Sequence, residues 1–371
     1  MIYLDYQATT PLAPEAYEAM VPLLRDQFAN PHSAHRPGRA AAAAVEVARD
    51  RVMAATGMEG GRLVFTSGAT EALNIAIVGA ARAGKAQGRT KIVTIATEHA
   101  AVRDTMLALA EEGFEAVLLP VDGEGLVDLD AARATIDGRT ALVAAMLVNN
   151  ETGVIQPVAA LADMARAQGA LFLCDGVQGF GRIGLPRAAD MIALSAHKVH
   201  GPKGIGALWL RDGLTLPPLI HGGGQEGGLR SGTLSPALCA GFGVAARLLV
   251  SRHAEDAAHI ERLWTLARAL FADWIINGSV AVRYHGNLNL RRDGLDGARL
   301  LSECRGIAFS LGSACASGSG RPSHVLQAMA LSDRQARGSV RIGFGRYTTP
   351  TELEDAARTI NEAAAGQSPS S

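Results

Sequence analysis

No stretch of the 371-residue chain approaches the ~18 uninterrupted apolar residues of a membrane span. Its opening, MIYLDYQATTP, has neither a basic n-region nor an apolar h-region, and so does not read as a secretory signal. No charge of one sign prevails: 35 Lys and Arg stand against 36 Asp and Glu, a formal net charge of −1. A generic binder of nucleic acid or of an anionic membrane surface needs a basic excess, so neither partner is expected. Cysteine is scarce. The four present, Cys174, Cys239, Cys304 and Cys315, make no CxxC pair and no Cys/His metal spacing, so no metal site is expected. So few thiols in so long a chain point to a reducing, cytoplasmic compartment, where an important cysteine acts as a nucleophile.

What is present is a globular composition, 48% hydrophobic and 19% charged, over a length that exceeds the ~100–200 residues of one ordinary domain. Short apolar runs alternate with amphipathic stretches between about residues 60 and 210. Strands are expected at Arg62–Phe65, Lys91–Ile95, Ala116–Leu119, Ala141–Leu147, Leu171–Cys174, Met191–Leu194 and Gly206–Leu210. Leu73, Ala76, Ile77 and Ala80 fall on one helix face between two of them. This alternation predicts an α/β fold, a large domain with a mainly parallel sheet between helices. After the Gly-rich HGGGQEGGLRSGT (His221–Thr233) the pattern changes to one long helical region from Pro236 to about Trp274. Short strands then follow at Val280–Tyr284, Asn287–Leu290, Ile307–Leu311 and Ser339–Phe344. The expected division is a large domain over 15–249 and a smaller α+β domain built from 1–14 and 250–371.

Chemistry-bearing residues gather at strand ends, where α/β folds keep their ligands. Lys198, in Ser195-Ala-His-Lys198, follows Met191–Leu194 in Gly/Pro-rich surroundings and is placed to lose its proton and form a Schiff base. Asp175 ends Leu171–Cys174 with Gln178 three residues on; such a carboxylate can hold a protonated ring nitrogen or merely cap a helix. Thr66-Ser-Gly-Ala-Thr-Glu71 opens a helix with small residues, the arrangement that offers backbone N–H groups to a phosphate. His99 follows another strand and can stack on a flat ring and shuttle protons as a catalytic base, and Asn149-Asn150-Glu151-Thr152-Gly153 brings amide donors to a fifth. Each feature alone has a plainer reading, as a cap, a loop lysine or a hydrogen-bonded histidine. Their conjunction is a pyridoxal-phosphate site.

The ordered series YLDYQATTP, NPHSAHRPG, FTSGATEALN, TEHAAV, NNETG, DGVQ, SAHKVHGPKG, GGGQEGGLRSGT and SACASGSGRPSHVL resembles the NifS/IscS-type cysteine desulfurases. These belong to the class V aminotransferase branch of fold-type I pyridoxal-phosphate enzymes, and the resemblance runs from Tyr3 to about Thr349. It implies that Lys198 carries the cofactor and Asp175 pairs with its pyridine nitrogen. His99 is implied to stack on the ring, with Gln178 and Asn150 around the ring hydroxyl. Ala69, Thr70, Ser195 and His197 are implied on the phosphate side. Thr233 matches a residue that reaches the phosphate from the other subunit, which implies a homodimer, and Arg341 matches a clamp for the substrate carboxylate.

Cys315 decides the reaction type. It lies in a run of small residues, Gly312 to Gly320, from which a thiol can swing toward substrate and away again. The other three cysteines sit in apolar segments and read as small buried hydrophobes. The implied reaction takes L-cysteine to L-alanine and keeps the sulfur as a persulfide on Cys315, for delivery to an acceptor such as an iron–sulfur scaffold. The chain departs from the family's pattern at Gly227, where an arginine is expected, and at Gly320-Arg321, where an apolar–acidic pair is. Selenocysteine or cysteine sulfinate as substrate shares every cofactor residue, and a quiet assembly scaffold is the alternative of another class.

Overall fold

The computed structural model describes residues 1–312 and 322–367. Cys315 and the Gly320-Arg321 departure therefore lie outside the described residues.

Twelve strands are found among the described residues: β1 (Ile2–Tyr3), β2 (Arg62–Thr66), β3 (Lys91–Ile95), β4 (Glu115–Leu119), β5 (Thr140–Met146), β6 (Leu171–Asp175), β7 (Met191–Ser195), β8 (Gly206–Leu210), β9 (Ile275–Ile276), β10 (Asn287–Arg291), β11 (Ile307–Ala308) and β12 (Ser339–Gly343). Strands β2 to β8 form one seven-stranded sheet in the order β2-β8-β7-β6-β5-β3-β4. Only β8 runs against its neighbours. The seven expected strands are all there, each within a residue at either end.

Every residue of β3, β5, β7 and β8 is buried, as continuous apolar runs between two helical layers should be. The helix Ala69–Lys85 is buried on nearly all sides, with Leu73, Ala76, Ile77 and Ala80 in the core on one face of the sheet. On the other face, helices Arg36–Thr56 and Pro236–Ser251 cross closely. A Cβ on Gly243 would lie 2.7 Å from the Cα of Ala48, so only glycine permits that approach.

Because β2, β3, β5, β6 and β7 are parallel, their carboxyl ends share one edge of the sheet. Thr66, Ile95, Met146, Asp175 and Ser195 therefore hand their following loops to a common place. The start of β8 closes in from the other direction: a Cβ on Gly206 would sit 2.7 Å from the carbonyl carbon of Gly68.

The C-terminal region has its own core, in which Leu263, Trp264, Phe271, Leu288, Val340 and Ile360 pack with Leu4. Its sheet is antiparallel, β12-β10-β9, with β1 paired to β11 beside it. Three local expectations change. The long helical region is two helices, Pro236–Ser251 and His253–Leu270, broken at Arg252; the first packs on the large sheet's core and the second on the other. Val280–Tyr284 forms no strand, only a single bridge from Arg283 to Val154, because Gly278 and Ser279 start a turn held by the Glu124 carbonyl. Ile307–Leu311 pairs over two residues only, with Ser310 as an isolated bridge to Arg341.

Candidate active site

The shared edge opens into a cavity of about 610 Å³, lined among others by Ala69, Thr70, His99, Asn150, Asp175, Gln178, Ser195, His197, Lys198 and Arg341. Nine strand-end and cofactor-side residues singled out by sequence thus meet Arg341, which arrives from β12 of the C-terminal region. Thr233 does not line this cavity. It is exposed, on the loop that Arg230 pins to Glu71 at 2.6 Å.

Lys198 follows β7 in a single turn of 3-10 helix and is mostly enclosed. Its Nζ donates to the carbonyls of Gln7 at 2.5 Å and Ala8 at 2.7 Å. Burial, with the Arg341 and Arg182 charges nearby, brings its amine down to about 7. Asp175 is buried and accepts from the Val177 N–H at 2.9 Å, so it is both a turn cap and a cavity carboxyl. Burial pushes it above the usual carboxylate range. A protonated ring nitrogen in the cavity would offset that cost, which is the fit such a group requires.

His99 caps the helix Ala100–Ala108: its Nδ1 accepts from the Ala101 N–H at 3.1 Å, which leaves the proton on Nε2. Burial lowers its pKa, so the ring is neutral. His197 is brought down to about 4 by burial and the charges of Lys198 and Lys203, and its Nδ1 lies 3.2 Å from Thr9 Oγ1.

The start of the helix Ala69–Lys85 opens on the cavity, an arrangement that suits a phosphate. Its N-cap is Gly68, which has no side chain to occupy the first N–H groups. Glu71 stands close by. Burial alone would raise its pKa, but Arg230 and the Ser67 N–H hold it below the usual range, and Arg230 cancels its charge. At the other end Arg341 is almost fully buried, paired to Asp5 at 2.8 Å and donating to the Asn150 carbonyl at 2.9 Å. Among the described residues its Nε has no hydrogen-bond partner, and neither has Asn150 Oδ1. Arg341 lines the cavity, and a guanidinium there suits a carboxylate. The donor set, the uncapped helix start and the lowered lysine together fit pyridoxal phosphate.

The class-V aminotransferase profile matches residues 2–355. The chain belongs to the class-V aminotransferase family. Pyridoxal phosphate is the cofactor of these enzymes, and within the family the chain falls among the cysteine desulfurases. It is 42% identical to the cysteine desulfurase IscS of Rickettsia akari, with 97% of this chain and 90% of that protein aligned. Among solved structures it is similar to a NifS-like protein, with a TM-score of 0.91 and 33% identity over 98% of this chain and 99% of that one. It is also similar to a structure described as SspA in complex with cysteine, with a TM-score of 0.83 and 34% identity over 94% of this chain and 100% of that one.

Sequence reasoning passed over part of this class-V site. The segment from Asp5 to Thr10 touches Arg341 and His197 through the Asp5, Thr9 and Thr10 side chains, and Lys198 and Gln178 through the Gln7 carbonyl, which carries no side-chain signature. Glu98 is fully buried behind Asp175 and accepts from the Met146 N–H at 2.6 Å. Burial and the neighbouring Asp175 push it well above the usual carboxylate range. Its place beside His99 in Thr97-Glu98-His99 was the available signal.

At the departure from the family's pattern, Glu226 is anchored by Arg49 at 2.8 Å and by the Phe65 N–H at 2.7 Å. Gly227 follows with φ +63°, a left-handed conformation that a side chain at this position would strain.

Proposed function

We propose that this protein is a pyridoxal-phosphate-dependent cysteine desulfurase that takes L-cysteine to L-alanine. The sulfur is held as a persulfide on Cys315 for a protein acceptor such as an iron–sulfur scaffold. The observation that carries the reading is the meeting, in one cavity, of a lysine lowered to about 7, an uncapped helix start and a buried arginine. The substrate follows from the relatives, which are named cysteine desulfurases, and from the structural neighbour described with cysteine.

Bound pyridoxal phosphate supplies an electron sink for the pair left behind when the Cα–H bond breaks. Ala69 and Thr70 at the helix start, with Ser195 and His197, would hold its phosphate. Asp175 would hold a proton at the ring nitrogen, His99 would stack on the ring, and Gln178 and Asn150 would hydrogen-bond around the ring oxygen. Arg341 binds the substrate carboxylate, and Lys198 takes the Cα proton. The Cys315 thiolate then attacks the substrate Sγ: an S–S bond forms, the Cβ–Sγ bond breaks, and its electron pair stays with Cβ. Protonation at Cβ and return of a proton to Cα complete alanine. Cys174, Cys239 and Cys304 are unsuited to this step, since burial raises each thiol, Cys239 to about 12.

A homodimer, with Thr233 reaching the partner's phosphate, completes the reading. Its support is an apolar surface: Tyr17 and Leu24, seven residues apart on one helix face, are 58% and 61% exposed, and Phe28 is 83% exposed. A cytoplasmic location rests on the sparse, unpaired cysteines; no helix among the described residues is long and apolar enough to cross a membrane.

One turnover with L-cysteine and no acceptor, followed by mass spectrometry, tests the proposal. Wild type should give one alanine per site and a persulfide mapped to Cys315. Cys315→Ser should keep the cofactor yet give neither product, because a hydroxyl is un-ionised near neutral pH. A persulfide on another cysteine, or faster turnover with selenocysteine or cysteine sulfinate, would reject it.

A further inference from the structure

We propose that Arg182 is a positioning residue that locks the Gln178 side-chain amide, so that only an N–H is presented to the cavity. The inference rests on the proposed function for the identity of the ligand, the cofactor's ring oxygen, and on hydrogen bonding for everything else. Arg182 Nη1 donates to Gln178 Oε1 at 2.5 Å and to the Gln178 carbonyl at 3.0 Å. A guanidinium has donors only, so the atom facing it must be the amide oxygen. At the other end Gln178 Nε2 donates to the Gln7 carbonyl at 2.9 Å, and a carbonyl only accepts. Turning the amide over would set N–H against N–H and oxygen against oxygen.

Gln178 is buried and lines the cavity, and its oxygen is already used. What remains for a ligand is the second Nε2 hydrogen. The site therefore offers a donor to whatever lies there and favours an ionised, accepting ring oxygen over a hydroxyl.

Arg182 is itself held in place. Nη2 donates to the Lys198 carbonyl at 3.0 Å, and the guanidinium lies 4.9 Å over the Tyr284 ring. It is absent from the lining of the main cavity and lines a smaller one of about 210 Å³ between the two cores. Arg182 thus acts through Gln178 and through the backbone of Lys198 without touching the ligand. One fork serves three acceptors, which a lysine ammonium would not reproduce with the same geometry.

The pH midpoint of the cofactor's visible absorbance band and the cofactor's dissociation constant test this in the loaded enzyme. In Arg182→Gln the midpoint should rise by about one unit and the affinity fall roughly tenfold, since a donor and a nearby cation are lost together. Arg182→Lys should recover part of the affinity, because an ammonium still donates to Oε1. Gln178→Glu, which presents an acceptor, should move the midpoint upward at least as far, and it decides the matter if Arg182→Gln fails to fold. A midpoint and affinity unchanged in either variant, or a loss of thermal stability alone, would overturn the lock. If the wild type takes up no pyridoxal phosphate, the proposed function fails instead. The lock is then read in the cofactor-free protein by exchange of the Gln178 side-chain N–H₂ protons, which should be slow in wild type and fast in Arg182→Gln; equal rates would overturn it.

Discussion

At the scale of single residues the site works by choosing protonation states before any ligand arrives. Lys198 is the sharpest case. An ordinary lysine is charged at neutral pH, but burial and two nearby guanidinium groups bring this one from 10.5 to about 7. Its reactive neutral fraction at pH 7 is thereby raised roughly a thousandfold. The folded pKa is the lower one, so the unfolded chain binds more protons between about 7 and 10.5, and this group's contribution to apo-protein stability rises with pH across that window. Capture of pyridoxal phosphate by the cofactor-free protein should accelerate with pH and level off, with a midpoint near 7. A stopped-flow pH profile measures it; a rate still climbing toward pH 10 would mean that the amine is not desolvated. Glu98 and Asp175 show the same logic with carboxyls: burial raises both, and a ring cation in the cavity would offset that cost at Asp175.

At the scale of elements, most of the site was legible because it sits at the ends of regular strands. Lys91–Ile95 and Gly206–Leu210 can be read from their apolar runs to the residue, and Asp175, Ser195 and Asn150 take their places from the strands before them. What was not legible was held together by backbone atoms and distant pairings. The segment from Asp5 to Thr10 has no periodicity, yet its carbonyls hold Lys198 and Gln178, and Asp5 pairs with Arg341, 336 residues away. That pair fixes the orientation of an otherwise buried guanidinium. In Asp5→Asn the fork loses its charged partner, and the KM for cysteine should rise tenfold or more with a smaller change in kcat, as expected when one member of a buried ion pair is removed. Steady-state kinetics separate the two effects. A fall in kcat with KM unmoved would show that Asp5 supports the fold and not the substrate clamp.

At the scale of the whole molecule the proposed dimer turns on where Thr233 stands. The main cavity draws on both cores: the strand-end residues of the large sheet and Arg341 of β12. Thr233 stands outside it, exposed, on a loop whose base is tied down by the buried Glu226–Arg49 pair and by Arg230–Glu71. A loop anchored at its base and exposed at its tip is suited to reach into a neighbour. The exposed Tyr17, Leu24 and Phe28 offer an apolar surface for that neighbour, and a twofold dimer would bury it in a single self-complementary contact. Complementation tests this arrangement directly. Neither Lys198→Ala nor Thr233→Ala homodimers should contain a complete cofactor site. After the two variants are unfolded and refolded together, about half of the dimers should be mixed, each with one complete site, so about a quarter of all sites should recover wild-type cofactor affinity. Titration with pyridoxal phosphate would then show a wild-type class amounting to about a quarter of the sites, with weaker binding at the rest. A single weak class in the mixture, or a monomer by sedimentation at assay concentration, would place Thr233 outside the cofactor site.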